Sequence, residues 1–215
     1  MSGIIIAAVI LLILFLLRKR FRRPVPHVEV IANTKILISS LGREAGTDLE
    51  ERDAAVYSKF YRHVDIAKAR KADEMLVSIS GGDYDVVHLF CEISGDGHLV
   101  AESGLELKGG DLLKACREGD VKLLFIAEGN PADNYLKAFT GDGSARGIKL
   151  NFVRTLDRKG EAFTQFLEAL LQRMSAGEGM PVAWVNVAPQ IPGKSQDNQP
   201  DLYFSAGRGG IRLLP

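Results

Sequence analysis

"DYDVVHLFCEISGDGHL", Asp83 to Leu99, decides the fold of this chain. A run of branched and aromatic residues between an Asp-rich turn and a glycine loop reads as a strand covered on both faces. One strand period puts His88 on the same face as Phe90, while Val87, Leu89 and Cys91 point the other way. His88 therefore reads as a packed core histidine. His98 sits in the glycine loop and is freer to act, but a catalytic base needs a nucleophile within hydrogen-bond reach. Cys91 is the nearest thiol, and a Cys91/His98 hydrolase is the catalytic option this stretch leaves open.

Four more segments share the strand pattern: "KILIS" from Lys35, "KLLFIA" from Lys122, "IKLNFV" from Ile148 and "VAWVNVA" from Val182. Helical patterns fall between them. Thr47 and Glu50 have capping-box spacing, with Leu49, Val56, Phe60 and Val64 on one face behind them. A second helix is expected from Ala67 to Ile79, with short ones over Asp111–Arg117 and Asp133–Phe139. In "EAFTQFLEALLQRM", Phe163, Phe166, Leu167, Leu170 and Met174 repeat at helical spacing. "LELKGGDLL" reads as a turn. The alternation predicts an α/β domain of three layers around a mostly parallel sheet. "GKSQDNQPD" reads as an exposed loop, and "AGRGG" near the C-terminus as either a phosphate loop with Arg208 or a return to an edge strand.

The 27 basic residues balance 27 acidic ones, but five basic residues stand together in "RKRFRR", Arg18 to Arg23. The rest of the chain is therefore net acidic, which argues against a DNA partner held by an electrostatic footprint. Cys91 and Cys116 lie in apolar or helical surroundings with no metal-ligand spacing, so they read as buried thiols and no metal site is expected.

"GIIIAAVILLILFLL" has no charged side chain from Ile4 to Leu17 and is followed by the basic cluster. That order predicts a signal anchor, with the N-terminus outside and the remainder in the cytosol at the inner membrane. At about 1.5 Å per residue the apolar run falls short of the roughly 30 Å hydrocarbon core, a mismatch that favours helix association. The expected organisation is a membrane helix with its basic stop over 1–23, a stiff linker over 24–34 and a cytosolic domain over 35–215.

Two resemblances rest on these motifs. "YDVVHLFCEISGDG", the turn "LELKGGDLL" and the strand "VKLLFIAE" together resemble caspase-like CHAT domains, in which one strand ends in a catalytic histidine and a later one in a catalytic cysteine. Glu92 stands where that resemblance would put the histidine, and Glu128 where it would put the cysteine. A glutamate cannot supply a thiolate. The resemblance thus implies a protease shell without its dyad. The second is architectural: a membrane helix, a basic stop and one Rossmann-like domain resemble CRISPR-associated membrane effectors bearing a CARF domain. That resemblance implies dimers binding a cyclic oligoadenylate made during type III CRISPR interference, and the loops "SSLGREAGTD" and "AEGNPADNYLK" carry it.

Open α/β sheets bind ligands at the carboxyl ends of their strands. Both loops belong at that edge. The candidate ligand contacts are Ser39, Ser40, Gly42 and Arg43 from the first loop, and Glu128, Gly129, Asn130, Asn134 and Lys137 from the second, with Glu92 ending its strand beside them. The same glycines could equally serve only to turn the chain. The leading expectation is a non-enzymatic effector of antiviral defence: a homodimer or homotetramer that binds cyclic tetra-adenylate without a cofactor and perturbs the bilayer through its helix. The alternative is a catalytically dead CHAT-type pseudo-protease that scaffolds a protein partner at the membrane.

Overall fold

The computed structural model describes residues 28–41, 49–68, 71–101, 104, 106–127, 130–140, 151–154, 162–187, 203–206 and 210–215. The apolar segment Ile4–Leu17 lies outside these residues, and among the described residues no helix is long and apolar enough to cross a membrane.

The chain runs β1 (Val28–Ile31), β2 (Lys35–Ser40), α1 (Leu49–Ser58), β3 (His63–Lys68), α2 (Ala72–Gly81) and β4 (Val86–Phe90). Three short strands follow, β5 (Glu92–Ile93), β6 (His98–Val100) and β7 (Glu106–Lys108), then α3 (Gly109–Glu118), β8 (Leu123–Ile126) and α4 (Ala132–Thr140). The last elements are β9 (Asn151–Arg154), α5 (Ala162–Ser175), α6 (Met180–Val187), β10 (Tyr203–Ala206) and β11 (Gly210–Leu213).

The main sheet has six strands in the order β10-β9-β8-β4-β2-β3. All neighbours pair in parallel except β10 with β9. Strand β4 sits centrally, and all five of its residues are buried. Its alternation divides the core as the sequence predicts. Val86 and Phe90 join Ile36, Ile38 and Phe125 against α1, α5 and α6. Val87, Leu89 and Cys91 join Leu37, Leu124 and Ile126 against α2, α3 and α4. Helices thus cover both faces of a mostly parallel sheet, giving the expected three layers.

Several expectations are corrected. "VAWVNVA" is not a strand: it lies largely in α6, where Met180, Ala183, Trp184 and Val187 are buried at helical spacing and Val182 and Val185 are exposed. Its continuous apolarity concealed the helical period. The first helix stops at Ser58, and Val64 and Ala67 belong to β3, whose residues His63 and Asp65 face solvent as an edge strand allows. The segment after β4 is a small antiparallel sheet, β5-β6-β7, not a single loop and turn. Finally, β11 pairs in parallel with β1, and the amide of Leu214 donates to the carbonyl of Ile31 at 2.8 Å. The C-terminal strand is thereby fastened to β1, a strand within the segment 24–34 expected to be a linker.

Candidate functional site

Parallel strands β2, β4 and β8 lie side by side, so their carboxyl ends form one edge. Ser39 and Ser40 end β2 there, but both are buried, at 0% and 6% exposure, and the Ser39 hydroxyl has no hydrogen-bond partner among the described residues. Gly42 and Arg43 of the same loop, and Glu128 and Gly129 of the other, lie outside the described residues.

The described polar residues of the second loop turn toward the hairpin that follows β4. Asn130 is buried; its Oδ1 accepts the amide of Ile93 at 2.7 Å and its Nδ2 donates to the carbonyl of Cys91 at 3.1 Å. One side chain therefore satisfies both backbone groups left where β4 gives way to β5. Asn134 adds a bond from Nδ2 to the carbonyl of Ile93 at 2.9 Å, and Lys137 one from Nζ to the carbonyl of Gly95 at 2.7 Å. Asn130, Asn134 and Lys137 are brought together, and their described bonds go to backbone. Gly97 completes the docking: its φ is +84°, and a Cβ there would stand 2.7 Å from the Lys137 Cβ. Only glycine lets the hairpin lie this close to α4.

Glu92 is exposed at the start of β5, paired in register with Val100. Cys91, one residue earlier, is 1% exposed and packs in the α2–α4 face of the core. Cys116 on α3 is fully buried, and burial pushes its thiol up to about 12. A thiol so placed stays protonated and out of contact with solvent-borne substrates. His98 falls in β6, partly buried, with its amide donating to Ser94 Oγ at 3.2 Å.

His88 is a core histidine, as its strand phase predicts. Its ring stacks on Phe125 with centroids 5.6 Å apart and meets Phe90 at 5.1 Å. The sequence reading missed its polar company. Nε2 lies 2.9 Å from Asp53 Oδ2, and Nδ1 lies 3.1 Å from the Tyr57 hydroxyl. Nδ1 and the phenol hydroxyl share a hydrogen bond whose donor depends on the ring tautomer, and Nε2 lies within ion-pair range of the carboxylate. Asp53 and Tyr57 are four apart on α1, so they share the helix face that meets β4. A carboxylate orienting an imidazole has the arrangement of a base and its support, but both side chains are fully buried. The pair lies where α1 meets the sheet.

No protein-family model matches this chain, and no curated protein matches it. Among solved structures, the crystal structure of drICE, a caspase, superposes with a TM-score of 0.48 at 13% identity, covering 88% of this chain and 93% of that chain.

Proposed function

We propose that this chain is a recognition module: a CHAT-type pseudo-protease, anchored at the inner membrane by Ile4–Leu17, that holds a protein partner at the carboxyl edge of its sheet. The observation that carries the reading is the double bond pattern of Asn130, which closes the end of β4 where a catalytic histidine would be expected from the resemblance. The buried Cys91 beside it is consistent with recognition in place of covalent chemistry. Glu92 is exposed at that position and open to a partner.

This reverses the order of the two expectations drawn from sequence. A cyclic oligoadenylate receptor needs polar side chains free to meet adenine and phosphate, and Asn130 and Asn134 spend described bonds on backbone instead. The effector reading, with its homodimer or homotetramer and its membrane output, is retained as the second proposal.

The test uses the full chain in detergent. Calorimetry with cyclic tetra-adenylate gives no saturable heat, whereas a stoichiometric protein partner co-purifies from the native host without added nucleotide and is lost in Glu92→Lys. Saturable heat that excess adenosine 5′-monophosphate does not displace and that disappears in Lys137→Ala would overturn the order and favour the effector.

A further inference from the structure

Beside the hairpin lies a pocket of about 360 Å³, open to solvent and lined by Asp96, Gly97, His98, Lys108, Gly109, Lys137 and Ala138. We propose that it binds the phosphate group of a small molecule. This goes beyond the recognition role above and holds whether or not a protein docks at the same edge.

Two lysines and an imidazole reach the pocket from different elements. His98 comes from β6, Lys108 from the end of β7 and Lys137 from α4. His98 and Lys108 are directly opposite in the antiparallel register, so their side chains emerge on one face of the hairpin. Cross-strand neighbours of this kind are unfavourable when both are charged, unless an anion lies between them. Among the described residues Asp96 is the one carboxylate lining the pocket, against two lysines. The Lys108 side chain is exposed and forms no hydrogen bond or ion pair among the described residues. Lys137 uses one of its three donors on the carbonyl of Gly95, which fixes its ammonium and leaves two donors for a ligand.

The walls are set before any ligand arrives. Gly97 packs its backbone against Lys137 and Ala138 with no side chain between. A pocket at the small end of the usual ligand-site range suits a mononucleotide or sugar phosphate better than a polymer. Point-charge donors from separate elements suit the tetrahedral oxygens of phosphate more than a planar carboxylate, which is best met by a guanidinium fork.

The experiment follows the imidazole resonances of the full chain in detergent, labelled at histidine, during titration with inorganic phosphate, adenosine 5′-monophosphate and adenosine. The His98 ring shifts saturably with the two phosphates and does not respond to adenosine. Lys108→Ala weakens binding about ten-fold, Lys108→Arg keeps it, and Lys108→Glu abolishes it. The buried His88 ring reports the fold in each variant, and Lys108→Ala supplies the reading should Lys108→Glu disturb it. No saturable shift at millimolar phosphate, an equal response to adenosine, or wild-type affinity in Lys108→Ala with His88 unmoved would overturn the proposal.

Discussion

The Nε2 of His88 lies 2.9 Å from Oδ2 of Asp53, and neither side chain is exposed. Breaking such a pair from one side strands a polar group in the core, whereas replacing both partners by apolar residues removes the need for either. Asp53→Ala is expected to cost about 3 kcal/mol or more in urea unfolding. The double variant Asp53→Leu, His88→Leu recovers much of that loss. Equal destabilisation by the single and double changes would mean that packing of the ring on Phe125, and not the pairing, is what holds α1.

Asn130 is expected to govern the hairpin more than the sheet. Asn130→Ala leaves the amide of Ile93 and the carbonyl of Cys91 without their side-chain partner, at about 1–3 kcal/mol for each buried group. Hydrogen exchange at Ile93 accelerates strongly while Leu89 within β4 stays protected. Asn130→Asp is intermediate, because a carboxylate still accepts from Ile93 but cannot donate to Cys91. Uniform acceleration across β4 and β5 would show that the hairpin has no separate opening.

Alkaline conditions should weaken the domain through its buried thiol. Burial raises Cys116 from 9.0 to about 12 and raises the Tyr61 phenol as well. Between those two pH values the folded chain keeps a proton that the unfolded chain has lost, so stability is complete below about pH 9 and falls as pH rises toward 12. Urea midpoints measured across that window decline, and the decline is shallower in Cys116→Ala. The same slope in both proteins would assign the alkaline loss to other groups, Tyr61 first.

The central strand was legible because its alternation is two-sided. Val87, Leu89 and Cys91 were separable from His88 and Phe90 by strand phase alone, and each set enters its own half of the core. Strands β3, β5, β6 and β7 were not legible. Each is short or solvent-facing, and pairing with a neighbour, absent from local sequence, is what makes it a strand. The polar partner of His88 was hidden for a related reason, since Asp53 lies 35 positions earlier and meets it only across the α1–β4 contact. At the candidate edge, the cluster of Asn130, Asn134 and Lys137 was legible, but its partners were not: loop residues rich in donors look alike whether they await a ligand or satisfy a backbone.

Helix α6 gives a direct check on the corrected segment. Val185 is 67% exposed and Ala183 fully buried, an assignment that a helical period makes and a strand period would not, since residues two apart share a strand face. Val185→Asp should change the thermal midpoint little, whereas Ala183→Asp should prevent cooperative folding by burying an unpaired charge. Comparable damage from both would restore the strand.

A domain that recognises a partner without covalent chemistry has no thiol that reacts in its native state. The most direct measurement is intact-mass analysis of the full chain after exposure to a peptide carrying a thiol-reactive acyl group, first native and then in denaturant. The account predicts no adduct at Cys91 or Cys116 in the native protein and adducts at both after unfolding. A stoichiometric native adduct at Cys91, accompanied by peptide hydrolysis that vanishes in Cys91→Ala, would contradict it.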